Sequence, residues 1–163
     1  MKLGYVMMDG AGALDSRLAS VAQELLESGK RVSGVVQINT ERPKSHHCDM
    51  DVKVLPDGPV IGITQSLGKE ARGCRLNPDA LEQAVDLVSQ NIETGADILL
   101  INKFGKHEAE GRGFRETIGS ALARDIPVIV GLNNLNKSAF EEFAAGLETE
   151  VDAAEIMTWI ADS

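Results

Sequence analysis

The sequence predicts an α/β protein: a three-layer, doubly wound, mainly parallel sheet with a small β-hairpin insertion, in a single domain over residues 1–163. Short apolar runs that stop at a glycine or a polar loop alternate with stretches of helical periodicity, as buried parallel strands and their crossover helices do. The first strand, helix and strand are complete by Gln37, the span a right-handed crossover requires. A chain of 163 residues with 43% hydrophobic content is also long enough for one substantial core.

Residues 3–8 form a short apolar run cut off by Asp9-Gly10-Ala11-Gly12-Ala13, hence a buried strand entering a glycine-rich turn. A helix follows over residues 14–28, its stripe formed by Leu14, Leu18, Val21, Ala22, Leu25 and Leu26. Gly29 closes it, with Lys30 and Arg31 at the negative helix end. Residues 31–37 are the second strand, and residues 38–50 a polar loop. Residues 51–55 and 60–64 flank Pro56-Asp57-Gly58-Pro59, a hairpin signal.

A second loop spans residues 65–76 and carries Lys69, Arg72, Cys74 and Arg75. Asn77-Pro78 then supplies a helix cap and a first-turn proline. That helix runs to about Thr94 and presents Leu81, Ala84, Val85, Val88 and Ile92 on one face. Residues 97–102, DILLIN, are the most strand-like run and belong at the sheet centre, leading into a glycine-rich loop over 103–113. A helix over 114–124, a strand over 126–131 and helices over 138–145 and 150–161 complete the chain. Met7, Met8 and Trp159 are read as core. Ligands of such sheets sit beyond the carboxyl ends of the strands, which places the loops at 9–13, 38–50 and 103–113 there.

No apolar run approaches the ~18 residues of a membrane span, and the N-terminal pattern is that of a strand, so a cytoplasmic protein is expected. A net charge of −9 repels nucleic acid and anionic membranes. Two cysteines do not make a disulfide scaffold. His46, His47, Cys48, Cys74 and His107 match no standard zinc spacing, and no metal site is expected. Ser16 lacks the G-x-S-x-G frame of a hydrolase nucleophile, and Gly10-x-Gly12 lacks the third glycine of a dinucleotide fingerprint.

The opening strand, loop and helix, with GKRVSGVVQ, HCDMDV, GCRLNPDAL and above all LLINKFGKHEAEGRGFR, carry a resemblance over nearly the whole chain. The sequence resembles an uncharacterised bacterial family, a domain of unknown function often described as molybdenum-transporter ATP-binding or nucleoside-triphosphatase-like. More distantly it is similar to P-loop nucleoside triphosphatases of the nucleotide-kinase type. That likeness implies a phosphate-binding Walker A loop after the first strand and a Walker B strand running into Asp-Glu-x-Gly-x-x-Glu. Asp15 stands where the Walker A lysine belongs, ahead of Ser16. Asn102 replaces the metal-associated Asp and Lys103 the catalytic Glu, whereas Gly105 and Glu108 are retained.

All three departures fall on chemistry. A unit-charge pair at 4 Å and an effective dielectric of 20 is worth about 4 kcal/mol, so reversing the sign at residue 15 costs a bound triphosphate roughly a thousandfold in affinity. Losing the Asp and Glu weakens Mg²⁺ binding and removes the water-orienting group. A cation lost at Asp15 and gained at Lys103 predicts a salt bridge between them. Lys103, Lys106, Arg112 and Arg115, with Arg72 and Arg75, form a cationic set suited to tetrahedral oxyanions, and Gly105, Gly111 and Gly113 permit close backbone approach to a ligand.

The expected ligand site therefore comprises Gly10, Ala11, Gly12, Ala13, Asp15, Ser16, Asn102, Lys103, Lys106, Arg112, Arg115, Arg72 and Arg75, with no catalytic residue. The expected function is binding of a nucleotide, phosphate or molybdate at a degenerate P-loop. The resemblance adds a role in molybdate or molybdenum-cofactor handling, with a homodimer or a transport or cofactor-assembly protein as partner. Two alternatives stay open: a nucleoside triphosphatase or kinase using unconventional cations, and a non-catalytic interaction scaffold.

Overall fold

The computed structural model describes residues 1–10, 12–38, 50–66 and 74–162. In chain order these form β1 (Leu3–Val6), α1 (Ala13–Glu27), β2 (Val32–Ile38), β3 (Asp51–Leu55), β4 (Val60–Gly62), β5 (Thr64–Ser66) and β6 (Cys74–Leu76). Then come α2 (Pro78–Thr94), β7 (Ile98–Ile101), α3 (Lys106–Ala109), α4 (Arg115–Ala123), β8 (Val128–Gly131), α5 (Lys137–Ala144), β9 (Glu148–Glu150) and α6 (Ile156–Ala161). Among the described residues, seven strands form one sheet in the order β4-β3-β2-β7-β8-β1-β9. The five from β2 to β9 are parallel, and β3 and β4 add an antiparallel hairpin at one edge.

The central strands are apolar throughout because both faces are covered. Leu99 and Ile101 of β7, Val128 and Val130 of β8, and Leu3 and Tyr5 of β1 pack on one side with α2, α4 and α5. Their alternate neighbours Ile98, Leu100, Ile129 and Val6 pack on the other with α1 and α6. The chain thus leaves β1 across one face and returns from β7 to β8 across the opposite one. That reversal opens a crevice at the carboxyl ends of β1, β7 and β8.

The fold class is the one the sequence predicts, with β7 the middle strand of the seven. Four local expectations are corrected. The loop over 65–76 contains the β5–β6 ribbon, with Thr64 opposite Leu76. The loop over 103–113 contains α3. Glu148–Glu150, at the start of the helix expected over 150–161, is an edge strand in register with Leu3–Tyr5. Because β9 and a 3₁₀ turn occupy that stretch, α6 begins only at Ile156.

Candidate functional site

The crevice is built from three strand ends. After β1, Gly12 adopts a left-handed conformation (φ 77°) as the cap of α1, and this cap makes no side-chain hydrogen bond to the helix. The Ser16 N–H donates to the Gly12 carbonyl at 3.0 Å and starts the helical ladder. The cleft, about 340 Å³, is lined by Gly10, Gly12 and Asp15 from this turn, Asn102 and Lys103 from the end of β7, and Leu132 and Asn133 from the end of β8. Ala13 opens α1, while Ser16 is exposed on its first turn.

Asn102 determines the polarity of this cleft. Its side chain is almost fully buried, and its Oδ1 accepts the Gln37 backbone N–H at 3.0 Å. With the oxygen so engaged, the amide nitrogen must turn the other way, and it donates to Asp15 Oδ1 at 2.9 Å. Asp15 and Asn102, 87 residues apart in the chain, are thus hydrogen-bonded to each other. The salt bridge expected between Asp15 and Lys103 is not formed: the Asp15 carboxylate accepts from the buried Asn102 amide, and Lys103 is exposed in the cleft lining.

This donor set does not fit Mg²⁺, the ion that the resemblance to P-loop nucleoside triphosphatases implies here. Magnesium takes oxygen ligands, usually one or two carboxylates with phosphate oxygens and water. Asn102 instead presents N–H groups, and its oxygen faces away to Gln37. Among the described residues no three His, Cys, Asp or Glu side chains gather as a metal site.

The loop that follows β7 is tied by its acids. Glu108 is buried, accepting the Gly105 N–H on Oε1 at 2.9 Å and the Phe114 N–H on Oε2 at 3.1 Å. Burial raises its carboxyl above the ordinary value, and the two backbone N–H groups only partly offset this. A Cβ at Gly113 would stand 1.7 Å from Glu108 Oε2. Glu82 of α2 accepts from His107 Nε2 and the Gly113 N–H, each at 3.2 Å. The glycine at 113 thus makes room for a carboxylate of the chain itself, where the sequence suggests room for a ligand.

The cations expected to converge are dispersed. Lys103 and Lys106 line a second cavity of about 240 Å³ beside the cleft. Lys106 lies 3.9 Å and Arg112 3.2 Å from Glu110. Arg112 borders a larger groove of about 690 Å³ between α2 and α4, an acidic surface away from the strand ends. Arg115 lies 5.0 Å over the Phe143 ring. Ala11, Arg72, His46, His47 and Cys48 lie outside the described residues, as do the side chains of Cys74 and Arg75.

Three contributors escape the sequence reading. Gln37 acts through its backbone N–H, which no motif records. Glu82 sits on the exposed side of a helix stripe. Asn133 follows the strand over 126–131, so the strand-end rule applied to the loops at 9–13 and 103–113 would have found it.

No helix of the described residues is long and apolar enough to cross a membrane. A curated relative, "Molybdenum import ATP-binding protein ModC 2" of Bradyrhizobium diazoefficiens, is 34% identical over 152 residues, covering 92% of this chain. The chain spans 17% of the length of that relative. Two solved structures are similar in fold. THEP1 from the hyperthermophile Aquifex aeolicus has a TM-score of 0.69 at 13% identity over 99% of this chain and 96% of its own. A human cancer-related nucleoside triphosphatase has a TM-score of 0.73 at 16% identity over 100% and 99% respectively. The fold is therefore the three-layer α/β fold of P-loop nucleoside triphosphatases. Residues 3–159 match DUF2478, described as a protein of unknown function, and the chain belongs to that family.

Proposed function

We propose that this protein binds a phosphate-bearing ligand or a free oxyanion in the cleft between the Gly10–Gly12 turn and Asn102, and does not hydrolyse nucleoside triphosphates by the Mg²⁺ route. One observation carries the reading: Asn102 Nδ2 donates to Asp15 Oδ1 at 2.9 Å, linking the two positions on which phosphate and metal chemistry rest in this fold. What remains suited to an anion is the glycine turn, the first-turn N–H groups of α1 and the Lys103 side chain at the mouth. Among the described residues lining the cleft, Asp15 supplies the carboxylate, and its Oδ1 is engaged by the Asn102 amide. The name of the Bradyrhizobium relative supports including molybdate among the oxyanions, together with a role in molybdenum handling.

The test is thermal unfolding with phosphate, molybdate, ATP and GTP, each with and without Mg²⁺, alongside a phosphate-release assay. A rise in Tm with at least one anion, independent of Mg²⁺ and lost in Gly12→Val, is the expected result. Sustained Mg²⁺-dependent release of phosphate from ATP or GTP would overturn the non-hydrolytic reading. No shift with any anion would overturn the binding reading and favour an interaction scaffold.

A further inference from the structure

The cleft does not stand alone. The second cavity opens beside it, and Asn102 and Lys103 line both. The two differ in character. The cleft is bounded by a backbone turn and polar side chains, whereas the second cavity is walled by Val35 and Val52 of the sheet, Leu81 of α2, and Ile63, Leu76 and Phe114. Its 240 Å³ is less than the ~300–1,000 Å³ that ligand sites typically occupy, but joined to the adjoining 340 Å³ it falls within that range. Lys103 is exposed and belongs to the lining of both. The polar groups near the cavity floor are already committed: Glu108 to two backbone N–H groups and His107 to Glu82. The free surface the cavity offers is therefore mainly apolar.

We infer that the two cavities form one bipartite site, and that its ligand is an organic phosphate with a ring-sized apolar body. The body lies between β2, β3 and α2, and the phosphate extends past Lys103 to Gly10, Gly12 and the first turn of α1. The inference rests on the anion-binding reading of that turn and goes beyond it, because a bare oxyanion would leave the apolar cavity unused. Removing an apolar ring from water into such a cavity is favourable, and the phosphate fixes its orientation.

The experiment compares inorganic phosphate with 1-naphthyl phosphate by isothermal titration calorimetry. Wild-type protein is set beside Leu76→Trp and Met50→Trp, two half-buried positions that line the apolar cavity but not the cleft, where an indole is intended to occupy the cavity. Circular dichroism identifies which variants fold, and either one suffices. The expected result is at least tenfold tighter binding of naphthyl phosphate than of phosphate in the wild type. That gain disappears in the filled variant while phosphate affinity is unchanged. If phosphate binds but the ring adds nothing, or the gain survives filling, the bipartite site is overturned and the anion cleft stands. If neither compound binds, both readings fall.

Discussion

Asn102 shows how one side chain sets the chemistry of a strand end. The Gln37 N–H orients its amide, the amide orients Asp15, and a negative charge is thereby held at the place where an anion would arrive. Replacing Asp15 by Asn keeps an acceptor for Asn102 and removes only the charge. Its affinity for phosphate is expected to rise about tenfold: a unit charge near 4 Å is worth about 4 kcal/mol at an effective dielectric of 20, and solvent at this half-exposed position reduces that. Calorimetric titration of both proteins with phosphate at low salt measures it, and unchanged affinity would place the ligand elsewhere. Glu108 makes the complementary case. Its folded pKa is raised above the ordinary 4.5 by burial, so between those two values the folded protein binds more protons than the unfolded chain. Its contribution to stability therefore falls as pH rises through that window and is least favourable above it. Glu108→Gln removes this titration, so its stability should vary less with pH above 4.5 than that of the wild type. It should also be lower at neutral pH by about 1–3 kcal/mol, since an amide accepts from only one of the two N–H groups. Urea unfolding at a series of pH values reads both effects.

At the scale of elements, strands and helices place opposite demands on glycine. In β2, Gly34 has φ +121°, and a Cβ there would stand 1.8 Å from the Leu100 carbonyl oxygen of β7. The strand that supplies Gln37 is seated against β7 through this contact. Gly34→Ala is expected to cost about 3 kcal/mol or more, from backbone strain and overpacking together. In α4, Gly119 is exposed, and a methyl group added there would meet no atom within 4 Å, so Gly119→Ala should stabilise by about 0.5–1 kcal/mol. Denaturant titration of the two variants separates these signs. The helices with clear caps and apolar stripes were legible in advance. α2 begins at Pro78 with the Asn77 side chain accepting the Ala80 N–H, as the Asn-Pro pair implies. Short elements were not legible: α3 exists because the Glu108 carboxylate reaches back to Gly105, and one glutamate in a charged loop does not announce that.

Across the whole molecule, one sheet separates two apolar clusters, and every central strand contributes residues to both. Because the two faces share these strands, we expect one cooperative unfolding transition over the chain. Trp159, the single tryptophan, lies on α6 with Lys2 Nζ 4.4 Å from its ring centre, and it reports on the α1–α6 face. Its fluorescence and far-UV circular dichroism should give coincident urea transitions; separated midpoints would divide the chain into two units. Alternating buried runs and glycine stops determined, by themselves, the fold class and the central place of residues 98–101. Those signals are local, because a strand covered on both faces must be apolar along its length. Only the tertiary structure decided that Asp15 bonds to Asn102 and not to Lys103, that the loop cations disperse, and that Glu148–Glu150 is a strand. The first and last of these depend on partners far away in sequence, the Gln37 N–H and the open edge of β1, as does the seat of Arg115 over Phe143, whereas Lys106 and Arg112 turn to Glu110 close by. A residue's own neighbours do not specify which distant donor or edge will reach it first.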